Sequence, residues 1–319
     1  MSDRETDAAG ATALEEQRRA LEEQRRALDD APWSYRGPRL HALGFDFGIR
    51  ANDGEVGAYL GGLFEAFEAD GEPDHVYSFI ARPEEEMRYS LYFDGEHVVS
   101  SREAGGALRY FQWDVNERVI ARNRGYILIH AASAADETGR GIVMPAAMDS
   151  GKTTLVSGLV RAGLRYLSDE AAAVDPRTGV LHAYAKALTI DPGSWDVLPD
   201  LRPSLEGRLA PFAQDQWYVP ADSIRRGAVA SSARPAFVIA PRYVGEGRTE
   251  LLPLSRAQAL QTLVENAFNF RLFDGRMALT VLADLVRGAE CYRLMVAELP
   301  EACDLVLELV EASGEGGTE

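Results

Sequence analysis

Lysine is almost missing from this 319-residue chain. Of its 33 basic residues only Lys152 and Lys186 are lysine, so arginine serves wherever a generic positive charge will do. A lysine kept against that bias is a candidate for a place that needs a compact, flexible ammonium, as beside a phosphate. For Lys186 taken alone, chance accounts for its presence equally well. Cysteine is as scarce. Cys291 and Cys303 stand twelve positions apart, which excludes a disulfide framework and gives no spacing typical of a metal site, so they read as core or surface thiols. No run of about 18 apolar residues is present to span a bilayer, and MSDRETDAAG at the start has neither the basic opening nor the apolar stretch of a signal peptide. A cytoplasmic protein without a membrane partner is therefore expected. Positive charge is in deficit overall. A formal net charge of −17 disfavours any partner held by phosphate-backbone electrostatics, which needs a basic face to displace counterions, so no nucleic acid is expected as a partner.

What is present is apolar side chain, 46% of the residues, enough at this length to bury a real core in two domains or in one with an extension. Residues 13–30 read ALEEQRRALEEQRRALDD, a seven-residue repeat that sets Ala13, Ala20, Ala27 and Leu14, Leu21, Leu28 on one stripe. The spacing predicts a helix, so residues 1–31 are read as a heptad helix and tail, followed by a linker to Pro38. Two and a half heptads with so narrow a stripe are marginal alone; a solvated or frayed helix is favoured over a zipper. Residues 40–124 read as a small α+β domain. It holds a strand at 45–49, a helix at 56–67, strands at 76–80, 89–93 and 97–100, and a helix at 108–121, with Asp94-Gly95 as a tight hairpin turn. No catalytic constellation is evident in it.

From Gly125 the pattern changes. Residues 126–130 and 141–144 are short apolar runs of strand type, joined by an Asp136-Glu137-Thr138-Gly139 turn. They lead into Ser150-Gly151-Lys152-Thr153-Thr154 and a helix whose Leu155, Val156, Leu159 and Val160 share one face. Strand, glycine-lysine-threonine loop, helix is the order a P-loop requires. In such a loop the N–H groups of a helix start point at an anion that the helix dipole favours. Gly151 permits close approach, Lys152 reaches the β- and γ-phosphates, and the Thr153 hydroxyl meets Mg²⁺. Asp149, Ser150 and Thr154 complete the expected cradle. The fit to G-x-x-x-x-G-K-[ST] is incomplete, because Ala146 holds the first glycine position. Seventeen residues past Lys152, Tyr166-Leu167-Ser168-Asp169-Glu170 delivers two adjacent carboxylates. One suits Mg²⁺ and the other an attacking hydroxyl's proton. A charged strand end facing solvent is the plain alternative.

The stretch from His130 through Gly139-Arg140-Gly141, Ser150-Gly151-Lys152-Thr153 and Leu159-Val160-Arg161-Ala162-Gly163-Leu164-Arg165-Tyr166-Leu167-Ser168-Asp169-Glu170 resembles the HPr kinase/phosphorylases and the wider set of HPr-kinase-related proteins. The likeness is strong over residues 125–198 and looser after that. It implies an α/β P-loop kinase domain of the type shared with phosphoenolpyruvate carboxykinase, a mixed sheet flanked by helices, over residues 125–312. It implies ATP and Mg²⁺, with Lys152 and Thr153 on phosphate and metal, Asp169 and Glu170 as metal ligand and general base, and His130 near the phosphates. Without that likeness a lone histidine after an apolar strand reads as structural. Bifunctional members carry Asp-Asp where this chain has Asp169-Glu170, so the division of roles stays open. Where relatives have an arginine, this chain has Lys186, which keeps the positive charge that a γ-phosphate or substrate phosphate needs, so it is expected to take part in binding the nucleotide.

The resemblance thus implies an ATP-dependent serine kinase acting on a peptide or small protein, with a homo-oligomer among its expected states. A nucleotide-binding regulator without phosphoryl transfer is the alternative, favoured by Ala146. A scaffold assembled through the heptads is a third. Towards the C-terminus the pattern predicts a strand at 237–240, helices at 256–268 and 276–287, a strand at 291–296, a helix at 300–311 and a disordered tail at 313–319. Trp195, Trp217, Tyr218 and Arg242 fall in loop-like stretches that lend themselves to a substrate cleft, although packing is the favoured role for the aromatics.

Overall fold

The computed structural model describes residues 18–19, 21–82, 84–147, 150–245 and 247–315. Ala13, Leu14, Ala20, Asp149 and residues 316–319 lie outside them. Helix α1 (residues 21–29) does not leave its apolar stripe to solvent, for Leu28 is buried and Leu21 half-buried. The Gln24 side-chain amide donates to the Gly95 carbonyl at 2.7 Å, Arg25 Nε to the Asp94 carbonyl at 2.6 Å, and the Trp33 indole to the Leu28 carbonyl at 2.7 Å. A helix too short to persist alone is held by tertiary contacts, contrary to the expected frayed state.

The chain then builds a seven-stranded sheet from β1 (Tyr35–Arg36), β2 (Arg39–Ala42), β3 (Phe45–Ala51), β4 (Glu68–Ala69), β5 (His75–Ala81), β6 (Tyr89–Phe93) and β7 (Glu96–Ser101), in the order β4-β2-β3-β5-β6-β7 with β1 added to β3. Strands β3 and β5 are parallel and need a crossover, which α2 (Gly54–Gly62) supplies. The expected helix at 56–67 stops at Gly62, where two consecutive glycines weaken it, and a short 3₁₀ turn, Glu65–Phe67, follows. Asp94 and Gly95 both take positive φ, 48° and 83°, the geometry of a two-residue hairpin turn. Helix α3 (Ala104–Arg122) lays Leu108, Phe111 and Val115 on the sheet, around a core of Phe47, Phe64, Tyr77 and Phe79.

The second half comprises β8 (Ile127–Ala135), β9 (Arg140–Pro145), α4 (Lys152–Arg161), β10 (Arg165–Ser168), β11 (Ala171–Val174), β12 (Leu181–His182), β13 (Leu188–Ile190), β14 (Trp217–Val219), α5 (Ala221–Ile224), β15 (Ser232–Tyr243), β16 (Glu250–Pro253), α6 (Arg256–Glu265), α7 (Gly275–Gly288), β17 (Glu290–Val296) and α8 (Leu299–Glu315). Eight of these strands form a mixed sheet, in which β15 runs parallel to β9 and β17 while the other pairs are antiparallel. Strands β8, β11, β12, β15 and β9 pair in a closed ring of five. Alternation along the strands separates two cores. Ile142, Met144, Phe237 and Ile239 face α4 and α8, whereas Val143, Val238 and Ala240 face α6 and α7.

The chain is thus mixed α/β, with helices on both faces of the second sheet. Several expected bounds shift. Strand β8 continues past His130 through Ala131-Ala132-Ser133-Ala134-Ala135, residues with little strand preference that pairing on both edges overrides. Helix α6 stops at Glu265 rather than 268, and residues 313–315 continue α8 instead of belonging to a loose tail. Trp217 and Tyr218 lie in β14 and Arg242 in β15, not in loops. Among the described residues no helix is long and apolar enough to cross a membrane.

Candidate active site

Strand β9 delivers the chain into the lysine-bearing turn, and α4 carries it away. Gly151 caps α4 in the left-handed region at φ 84°, a conformation that side chains with a Cβ rarely adopt. The N–H groups of residues 152–154 lie in the first turn, where a helix has no acceptor of its own for them. The Lys152 ammonium is buried and donates to the carbonyls of Ala146 at 3.0 Å and Ala147 at 2.7 Å. Thr153 Oγ1 stands 3.4 Å from Asp169 Oδ2 as donor, and Thr154 Oγ1 lies 2.5 Å from Ser194 Oγ. The Ser150 hydroxyl is buried without a hydrogen-bond partner among the described residues. Asp149 falls outside those residues.

Asp169 comes to this turn because β10 is irregular. Its pairing with β8 shifts register between Tyr166 and Ser168, which re-aims the chain at its end. The Ser168 hydroxyl then accepts the N–H groups of Glu170 at 3.1 Å and Ala171 at 2.9 Å, fixing the corner into β11. Asp169 is buried, and both its oxygens are engaged. Oδ1 accepts from the Tyr166 hydroxyl at 2.8 Å and from Lys186 Nζ at 3.1 Å, while Oδ2 accepts from the Thr189 N–H at 3.1 Å. Lys186 is 1% exposed and has Thr189 Oγ1 at 3.3 Å as a further acceptor. Burial, reinforced by the charge of Asp169, holds the Tyr166 hydroxyl far above its usual range, so it stays a donor.

Glu170 differs from its neighbour. Its side chain is half-buried and accepts no hydrogen bond and makes no ion pair among the described residues. Burial raises its carboxyl above the ordinary glutamate range; Asp169 and Glu117 of α3 push the same way, and Lys186 and Lys152 oppose. His130 pairs with Ala171 across β8 and β11, and its ring lies 5.2 Å from that of Phe268. Burial, with the Lys152 charge second, lowers its imidazole to about 4, so it is neutral near pH 7.

The structure therefore gathers Lys152, Thr153, Asp169, Glu170, His130 and Lys186 in one place. Trp195 and Trp217 stack in the core with centroids 4.8 Å apart, and exposed Arg242 makes no hydrogen bond or ion pair with the cluster. Residues that sequence reasoning missed are Tyr166, Ser168, Thr189 and Ser194. A hydroxyl inside an apolar strand was the one signal available for Tyr166. Thr189 and Ser194 come from a segment that only long-range pairing of β13 with β14 brings near.

The residues present suit a phosphate with its metal. The α4 start offers N–H donors with an ammonium behind them, and the Thr153 hydroxyl and Asp169 carboxylate offer hard oxygen ligands side by side. Among the described residues no cluster of three or more histidines, cysteines or carboxylates is present to hold a metal unaided. No protein-family model matches the chain, and the search of curated proteins found no match.

Proposed function

We propose that this chain is an ATP-dependent kinase of the HPr-kinase-related type, transferring the γ-phosphoryl group to a hydroxyl of a peptide or small protein. The carrying observation is the 3.4 Å approach of Thr153 Oγ1 to Asp169 Oδ2 at the start of a helix capped by left-handed Gly151, with a second carboxylate, on Glu170, that has no partner among the described residues. Mg²⁺ bound at Thr153 and Asp169 would offset charge on the transferring phosphoryl oxygens. The remaining chemistry belongs to the chain. The first-turn N–H groups and Lys152 bind and orient the phosphates. Asp169 is held rigid by Tyr166, Lys186 and Thr189, which keeps its second oxygen facing Thr153. Glu170, whose carboxylate accepts no hydrogen bond among the described residues and has its proton affinity raised, takes the proton as the acceptor oxygen bonds to phosphorus and the bond to the leaving ADP oxygen breaks. Neutral His130 adds no charge beside the phosphates.

The test separates binding from chemistry. Calorimetry with ATP and Mg²⁺ should show association for the wild type and for Glu170→Gln, and none for Lys152→Ala. Phosphoryl transfer, followed by mass spectrometry of candidate acceptors, should fall about 10²- to 10⁴-fold in Glu170→Gln. Full turnover in that variant removes Glu170 as base, and absence of nucleotide binding to the wild type removes the whole reading.

A second reading rests on the same network. Lys152 is satisfied by its own loop and Asp169 by Lys186, so the site is self-consistent without ligand. A regulator that binds nucleotide without transfer fits that arrangement. Nucleotide binding with no phosphorylated product from any acceptor would favour it.

A further inference from the structure

A cleft of about 500 Å³ lies between α2 with the turn after it and the segment from Asp200 to Leu205 that faces it. Its size is that of a small-ligand or short-peptide site. The walls are mostly apolar, from Leu63, Leu201, Leu205 and Val219, with the ring of Tyr59 between them. The Tyr59 hydroxyl itself is buried behind that ring, without a hydrogen-bond partner among the described residues. At the edge stands Glu65, exposed, with the charges of Asp222 and Glu68 near enough to act on it. Neither of those acids makes an ion pair among the described residues, whereas Asp200 in the wall is paired with Arg161 at 2.9 Å. Arg202, exposed, is the one cation among the lining residues and leaves the edge acidic on balance.

We propose that this cleft docks a short extended peptide segment in which an arginine or lysine lies beside apolar side chains, the cation at Glu65 and the apolar groups against Leu63, Leu201, Leu205 and Val219. The whole chain carries −17, so long-range attraction also favours a basic partner. The cleft is joined to the lysine site through the backbone. The Leu63 carbonyl accepts from the Ala187 N–H at 2.8 Å, next to Lys186. Tyr218 and Val219 pair with Thr189 and Leu188 of β13, and the Thr189 N–H bonds Asp169. A segment seated here lies one backbone link from the Lys186–Asp169 pair on two sides. Its identity as the acceptor's docking segment rests on the kinase reading above; the binding does not.

The experiment titrates the full chain, without nucleotide, with acetylated pentapeptide amides Gly-Leu-Arg-Leu-Gly and Gly-Leu-Glu-Leu-Gly at low ionic strength, followed by calorimetry. The arginine peptide should bind and the glutamate peptide should not. Glu65→Gln, an exposed change that leaves packing intact, should weaken the arginine peptide by about tenfold, as loss of one charge pair at a rim would. Equal binding of the two peptides, no binding by either, or an unaltered affinity in Glu65→Gln overturns the proposal. Equal affinity for argininamide alone assigns the cleft to a small cation and overturns the peptide. Because nucleotide is absent, none of these results depends on whether Lys152 holds a phosphate.

Discussion

Lys186 and Asp169 form an ion pair that is all but sealed from solvent. Such a pair returns little net stability because both charges lose their water, yet removing one partner strands the other at a cost of about 3–5 kcal/mol. Its value here is orientation, since Asp169 is fixed by three donors and presents one oxygen to Thr153. His130 shows burial acting on a single group. The unfolded chain takes up its proton near the ordinary histidine range of about 6.5, while the folded chain resists until about 4. The unfolded state therefore binds more protons between those values. The stability linked to His130 is whole above pH 6.5 and is lost as pH falls towards 4. Discounted for partial exposure, the loss should be about 1–2 kcal/mol. Urea midpoints measured from pH 7 to 4 should fall more steeply for the wild type than for His130→Gln, and equal slopes would show the imidazole to be unperturbed.

At the scale of elements, α4 holds the site to the core. Its Leu155, Val156 and Leu159 pack against α8 through Ala302 and Val306, and Gly158 lets the two helices meet. A Cβ at Gly158 would lie 2.7 Å from Cys303 Sγ and 3.0 Å from a Leu299 methyl. Gly158→Val should therefore overpack this contact and cost about 1–3 kcal/mol in denaturant midpoint. An unchanged midpoint would mean that α8 yields freely. The β10 register shift plays the matching part for Asp169, aiming a strand end at the helix start.

Across the whole molecule, residues expected to form a separate small domain share a core with the second half. Ala171, Ala173, Tyr184, Ala187, Phe212 and Tyr218 pack among Phe64, Phe67, Leu108 and Phe111. The Tyr184 hydroxyl donates to Asn116 Oδ1 at 2.5 Å, and its ring stacks on Phe67 with centroids 5.4 Å apart. The segments flanking Glu170 and Lys186 are thus braced by α2 and α3. A fragment of residues 125–315 should lack a cooperative thermal transition and bind a hydrophobic dye, because that surface loses its cover. A fragment melting sharply at the full chain's midpoint would show the halves to be independent.

Local signals fixed much of this in advance. Periodicity placed β3, β5, β6, β7, α3, α4, α7, β17 and α8 within a few residues. The Asp94-Gly95 turn was legible because its backbone demands positive φ, and Gly151-Lys152-Thr153 because strand, loop and helix follow in order. The sequence also supplied, as types and positions, the residues that the fold brings together, Lys152, Asp169, Glu170, His130 and Lys186. It did not divide Asp169 from Glu170, since the difference lies in partners from β10, β13 and the segment before it rather than in the two side chains. The docking of α1, the extension of β8 through alanines and the shared core were equally beyond it. Each depends on contacts between residues far apart in the chain, where burial and pairing outweigh local preference. Tertiary structure alone settled which carboxylate is tied down and which has no hydrogen bond or ion pair among the described residues.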